Sequence, residues 1–336
     1  MMGRIMSDAG LDPTVIVGGV VSGKESGGSL GTGDYFVAEA DEFDRSFLSM
    51  FPSMAIVTNI EPDHLECYEG MEDLEKAFLT YMNRVPFYGL VVYSADDPIL
   101  ARLQPQITRP SVTFGLSHGA DYRAERLVMK EGRSEFAVLK RGQPLGIVPL
   151  NVPGEHNVRN AMAAIAAASE LDISFETIAD ALIKFRGVAR RFEIKGVVND
   201  IMVVDDYAHH PTEITAVLKA VRVSFQRRLI CIFQPHLFSR TSRFYREFAT
   251  ALGLADICLL VDIFPAREDP VEGVTSELIS DYARKQGFEN IRYIGPIETV
   301  VPETKKIARP GDIIITMGAG SITRINPELL EALKNL

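Results

Sequence analysis

Apolar residues fall in short β-branched runs at 14–18, 35–40, 54–60, 90–94 and 111–115, each closed by turn-forming residues, with a helical stretch near 72–85 between them. Such alternation predicts an α/β unit with a mostly parallel sheet. Between about 121 and 152 the helical pattern disappears. Strand-like alternation there is broken by Gly-Arg, Arg-Gly and Gln-Pro turns, which predicts a small antiparallel patch. Residues 156–170 are alanine-rich and helical, and 174–185 repeat the helical pattern with Ser174 suited to the N-cap and Glu176 nearby. From Arg191 onward, strands near 192–205, 228–233, 257–263, 291–294 and 312–316 alternate with helices near 211–225, 241–253, 275–286 and 325–335. This is a second α/β unit. The two meet in the turn Gly187-Val188-Ala189-Arg190, so the expected domains are 1–190 and 191–336.

The length of 336 residues agrees with two domains, each with its own core, and 46% hydrophobic with 24% charged residues is an ordinary globular balance. A formal net charge of −10 argues against nucleic acid or anionic lipid as partner and leaves the local pair Arg190-Arg191 to suit a phosphorylated metabolite. No apolar run approaches the ~18 residues of a membrane span, and the start carries no signal-peptide core, so a cytoplasmic chain without membrane anchoring is expected. Cys67, Cys231 and Cys258 lie far apart, two of them inside apolar runs, and read as small buried hydrophobes.

Candidate chemistry gathers where strands end. The run 35–38 discharges into Glu39, Asp41 and Glu42, and the run 54–60 into Glu61, Asp63 and His64. Successive parallel strands end on one edge, so Glu39 and His64 are expected to face one crevice, where carboxylate and imidazole suit a magnesium ion bridging nucleotide phosphates. Acids that merely solvate strand ends are the alternative. Asp205-Asp206-Tyr207-Ala208-His209-His210 again ends a strand, and Pro211 fits the first position of the helix that follows. One of these histidines is as well suited to a backbone hydrogen bond as to a ligand. Gln234-Pro235-His236 to Arg240 follows another strand, and Arg240 could hold a carboxylate bidentately, though an arginine at a helix start is often just a solvated surface residue. Gly318-Ala319-Gly320 follows the last strand and would let backbone approach a phosphate.

One motif is a decoy. Gly18 to Lys24 satisfies G-x-x-x-x-G-K, but Glu25 stands where a phosphate loop needs a hydroxyl for magnesium, and a carboxylate there would repel phosphates. A surface loop is the better account.

Taken in order, EADE at 39–42, VTNIEPDH at 57–64, PGEHNVRNA at 153–161, GVARRF at 187–192, DDYAHHPTE at 205–213, FQPHLFSRT at 233–241, FPAREDP at 264–270 and GAGSI at 318–322 resemble the Mur ligases, nearest to the alanine-adding member. Eight separated strings in register are far more specific than any one. The resemblance implies a central ATPase domain followed by a Rossmann-like α/β domain. It also implies an ATP- and Mg2+-dependent ligase that phosphorylates a carboxylate and lets an amine attack the acyl phosphate, the substrates being UDP-N-acetylmuramate and L-alanine. By resemblance Glu39 and His64 are magnesium ligands, and His156, Asn157 and Asn160 lie beside the adenine or ribose. Arg191 and Asp206 reach ATP from the domain junction, and Tyr207, His236 and Arg240 form the amino-acid side.

Two departures stand out. Leu237 replaces a second arginine that many relatives carry. The resemblance also implies a UDP-sugar domain and a glycine-lysine-threonine phosphate loop ahead of the helix ending in AGLDPT, and this sequence shows neither, so the chain by itself is expected not to ligate. Two alternatives are carried forward: a ligase that recycles a preformed tripeptide, against which FQPHLFSRT argues, and a non-catalytic nucleotide- or partner-binding remnant.

Overall fold

A computed structural model describes residues 1–19, 27–62, 67–334 and 336. The chain divides into two compact units, Met1–Arg186 and Gly187–Leu336.

In the first unit, β1 (Thr14–Ile16) pairs antiparallel with β2 (Gly28–Ser29) and parallel with β3 (Phe36–Ala38) in a three-stranded sheet. A separate six-stranded sheet runs β4 (Met54–Val57), β5 (Leu90–Ser94), β6 (Ser111–Gly115), β7 (Tyr122–Lys130), β8 (Arg133–Lys140) and β9 (Gln143–Leu150) in that spatial order. Pairing is parallel from β4 to β7 and antiparallel from β7 to β9. The antiparallel patch is therefore an extension of the parallel sheet, joined to it at Phe114 and Tyr122.

Helix α1 (Met2–Asp8) precedes β1, α2 (Met71–Asn83) lies between β4 and β5, and the short α3 (Pro98–Leu103) follows β5. Asp97 caps α3 by accepting from the Ile99 and Leu100 N–H groups, with Pro98 at the first helical position. α4 (Glu155–Ser169) packs across the sheet, and every residue from Ala161 to Ala168 is buried. A helix apolar on all sides must be covered on all sides, and α1 and α5 (Phe175–Ile183), the latter also packed on β9, pack against it. Ser174 caps α5 through the Thr177 N–H, as its position in the sequence predicts.

The second unit opens with a hairpin of β10 (Glu193–Val198) and β11 (Ile201–Asp206), turned by Asn199 and Asp200 with φ of 50° and 58°. Both values are left-handed, as a two-residue hairpin turn requires. Next along the chain come α6 (Pro211–Ser224), β12 (Arg228–Phe233), α7 (Phe238–Leu252), β13 (Ile257–Val261), α8 (Glu277–Lys285), β14 (Ile291–Gly295), α9 (Val300–Ile307), β15 (Asp312–Met317) and α10 (Asn326–Leu333). The spatial order β10-β11-β15-β12-β13-β14, parallel from β11 onward, makes this a doubly wound sheet. One buried cluster includes Ile214, Leu218, Phe248 and Ile279 from α6, α7 and α8, and another includes Val300, Leu329 and Leu333 from α9 and α10. β15 returns between β11 and β12, so the chain reverses its winding there, and the carboxyl edge at such a reversal is where open α/β sheets place ligands. Among the described residues no helix is long and apolar enough to cross a membrane.

Candidate active site

The expected sharing of one sheet edge by the strands before Glu39 and His64 is corrected by the structure. β3 pairs with β1, and among the described residues no ladder joins it to β4, which heads the larger sheet. Hydrophobic runs identify strands but not their partners, and three-residue strands carry almost no register information. Glu39 is exposed and its Oε2 accepts from the Gly18 N–H at 2.6 Å. His64 lies outside the described residues, as do Lys24 and Glu25 of the decoy loop. His156 and Asn160 are exposed near the start of α4, while Asn157 is half-buried and donates through Nδ2 to the Pro153 carbonyl at 2.7 Å. Gly154 precedes that helix with φ of 96° and contributes no side-chain cap, so the first turn presents its N–H groups without a side-chain oxygen. Arg159, one turn in, pairs with Asp96 at 3.2 Å and Glu155 at 2.7 Å and ties the turn to the loop after β5.

In the second unit the sheet places its candidates level with one another. Asp206 is in register with Met317, and Met317 with Phe233, so the loops leaving β11, β15 and β12 start side by side. Tyr207, His209 and His236 form a chain of rings with centroids 5.2 and 5.8 Å apart, and His236 stacks on Phe264 at 5.8 Å. Arg240 places Nη1 3.4 Å from His236 Nδ1. A guanidinium can only donate, so this nitrogen is the ring's acceptor and the histidine is neutral. Burial, His209 and Arg240 together push the His236 pKa down to about 4. His210 accepts the Thr212 N–H, and the Glu213 carboxylate reaches back to the His210 N–H in a capping box. His209 Nδ1 sits 3.0 Å from the Tyr207 carbonyl, so both histidines make backbone hydrogen bonds.

Asp205 and Asp206, adjacent in sequence, are both buried but hold different partners. Asp205 is fully buried and accepts from Arg190 Nε at 3.2 Å, Thr316 Oγ1 at 2.9 Å and Thr323 Oγ1 at 2.8 Å. Arg190 also donates to the Gly318 carbonyl and lies over the Tyr207 ring at 4.8 Å. Gln234 Oε1 accepts from the Ile322 N–H at 2.9 Å and so fastens the loop after β15. The sequence suggests Arg190 only as half of a basic pair for a phosphorylated metabolite and gives Asp205 and Gln234 no role of their own. Each sits inside a highlighted string, but only the fold shows that they converge.

Asp206 accepts the Phe192 and Ala208 N–H groups, each at 2.8 Å. Burial still dominates and raises its pKa from 3.8 to about 6. The folded state therefore holds this proton more tightly than the unfolded chain. Its contribution to stability is greatest below the unfolded value and is lost as pH rises from about 4 to about 6, a swing of roughly 3 kcal/mol. Asp206→Asn lacks this dependence. Urea titrations at pH 4 and pH 6.5 should show the variant gaining about 2–3 kcal/mol on the wild type over that interval. A constant difference would exclude the raised pKa.

Comparison with known proteins matches a family described as Mur ligase middle domain to residues 30–168 and one described as Mur ligase, glutamate ligase domain to residues 190–320. The UDP-N-acetylmuramate--L-alanine ligase of Syntrophus aciditrophicus is 43% identical over 336 residues, covering 100% of this chain and 70% of the relative. The chain belongs to the Mur ligase family. It is similar to the crystal structure of UDP-N-acetylmuramate-alanine ligase MurC from Thermotoga maritima, with a TM-score of 0.82 at 28% identity over 99% of this chain and 72% of the other. It is also similar to a murein peptide ligase from Psychrobacter arcticus, with a TM-score of 0.68 at 28% identity over 100% and 74%.

As a Mur ligase the chain is an ATP-dependent ligase with mixed α/β domains, as the eight sequence strings imply. Members of the family typically use Mg2+. Glu39 offers one exposed carboxylate, the oxygen donor that a hard cation prefers, and among the described residues no group of three or more His, Cys, Asp or Glu comes together to hold a metal.

Proposed function

We propose that this Mur ligase joins L-alanine to UDP-N-acetylmuramate in the cytoplasm, as a step in building peptidoglycan precursors. The observation that carries the reading is the cluster of Tyr207, His209, His236 and Arg240 at the carboxyl edge of the second sheet. Arg240 supplies a guanidinium fork suited to an amino-acid carboxylate, and among the described residues its hydrogen-bond contact is a neutral imidazole and not an acid. The His236 ring, held neutral with Nδ1 facing Arg240, carries its proton on Nε2 and can donate a hydrogen bond from there to an oxygen of the substrate. Support also comes from relatives above 40% identity that carry the alanine-ligase name.

The chemistry proceeds in two displacements. A carboxylate oxygen of the sugar nucleotide attacks the γ-phosphorus of ATP and ADP leaves. The alanine nitrogen then attacks the acyl carbon, phosphate leaves, and the nitrogen gives up a proton. In this reading Glu39 and His64 hold magnesium, which neutralises phosphate charge when bound. His156, Asn157 and Asn160 bind the adenine or ribose, and Arg191 and Asp206 also serve the nucleotide.

The test is a fusion joining this chain to the part of the Thermotoga maritima ligase that it does not cover. With UDP-N-acetylmuramate, Mg-ATP and L-alanine the fusion should release one ADP per amide formed. Arg240→Ala should raise the KM for L-alanine by about 30-fold and leave that for ATP unchanged, the factor expected for a charge-assisted hydrogen bond of about 2 kcal/mol. Preference for a preformed tripeptide over L-alanine would move the assignment to the peptide-adding ligases. ADP release with neither acceptor would overturn it.

A further inference from the structure

The first turn of α7 carries Arg240, yet the residue that precedes the helix cannot cap it. Leu237 occupies the N-cap with φ of 70° and ψ of 136° and offers no side-chain acceptor. An unhelped N-terminus would leave its first N–H groups to solvent and fray. Here the acceptor comes from another loop. Glu268, after β13, takes the Ser239 N–H on Oε2 at 3.0 Å and the Ser239 hydroxyl on Oε1, and the Phe238 N–H also bonds to this carboxylate.

The loop is built to deliver that group. The Glu268 N–H closes a turn onto the Pro265 carbonyl at 2.9 Å, and Ala266 within it has φ of 51°, a left-handed backbone that a residue with a Cβ adopts only when its surroundings hold it there. The same loop is stitched to the segment before α7: Phe264 N–H donates to the Pro235 carbonyl at 2.8 Å and Leu237 N–H to the Phe264 carbonyl at 3.0 Å. Phe264 also stacks on His236. A carboxylate at a helix N-terminus is favoured by the helix dipole as well as by its hydrogen bonds. Burial opposes ionisation of Glu268, but the hydrogen bonds from Ser239 and Phe238 hold its carboxyl below the usual glutamate range.

We propose that Glu268 is a positioning residue for the acceptor side: by capping α7 from a separate loop it fixes the turn that aims Arg240 and, through the Arg240–His236 contact, the histidine ring. The inference rests on the reading of Arg240 and His236 as the amino-acid side of the site. Glu268 touches neither reacting atom in that scheme. Removing it should loosen one turn and leave the core intact, because its contacts are at the rim.

The test compares Glu268→Ala with Glu268→Gln in the full chain. Amide hydrogen exchange at Phe238–Thr241 should speed up about fivefold in the alanine variant, the factor expected for losing one cap, with the urea midpoint of the second unit falling by no more than that one cap accounts for. The glutamine variant keeps a carbonyl acceptor and should restore protection to within about twofold. L-alanine affinity, measured by calorimetry, should fall about fivefold in the alanine variant and recover in the glutamine variant. Wild-type exchange rates in Glu268→Ala, or faster exchange with undiminished L-alanine affinity, would overturn the proposal. Absence of L-alanine binding in the unaltered chain would count against the acceptor reading instead, so the two failures are distinguishable.

Discussion

Arg190→Met is expected to destabilise the second unit by about 3–5 kcal/mol, because it strands the buried Asp205 carboxylate without its cation. Thr316 and Thr323 would remain as donors, but two neutral hydroxyls do not offset a buried charge. The loss extends further. The same guanidinium donates to the Gly318 carbonyl and covers the Tyr207 ring, so the turn after β15 and the Tyr207 side chain lose a common support. Arg190→Lys keeps the charge but not the planar fork, and should cost about 1–2 kcal/mol. Urea unfolding followed by circular dichroism would measure both, fitted with separate transitions for the two units. A methionine variant within 1 kcal/mol of wild type would show that Asp205 does not depend on this partner.

Gly318→Ala should cost a similar amount, about 3–5 kcal/mol, by a different route. Gly318 has φ of 140°, and a Cβ built there would meet the Gln234 carbonyl oxygen at 2.5 Å. That oxygen is backbone and has little room to retreat, since the Gln234 N–H is bonded to the Met317 carbonyl at 3.0 Å. Backbone strain and overpacking therefore add. The alanine would also displace Gln234 from the Ile322 N–H and unfasten the loop behind it. Because Arg190 and Gly318 share one hydrogen bond, the double variant should be less destabilised than the sum of the two, by at least about 0.5 kcal/mol. Strict additivity would mean that the two residues act independently.

The limits of reading this sequence are physical. Strands such as Arg228–Phe233 and Asp312–Met317 were legible because both faces are buried, which gives unbroken apolar runs bounded by polar turns. The capping of α5 by Ser174 and the opening of α6 at Pro211 were legible because those signals are local. Val300–Ile307 escaped notice as a helix: it is short, half of it is charged or polar, and only Val300 and Thr304 are buried. Pro98–Leu103 carried a readable signal, Asp97 followed by Pro98, that six residues of pattern did not reinforce. The pairing of β3 with β1 and not with β4 depends on partners far along the chain, which periodicity does not encode. At the site, the residues that end strands were visible as strings. Their supports were not, because Arg190, Glu268 and Gln234 act through contacts across 15 to 128 positions of sequence.

The level ends of β11, β15 and β12 have a consequence for how acceptor preference can change. Because the loops at 207–210, 234–237 and 318–320 depart from one plane, and the buried clusters lie beneath it, their chemistry can be exchanged with little disturbance to the strands. A graft of residues 234–240 from a relative with another acceptor would inherit an intact platform, provided that the new segment keeps a hydroxyl or amide for Glu268 to grip.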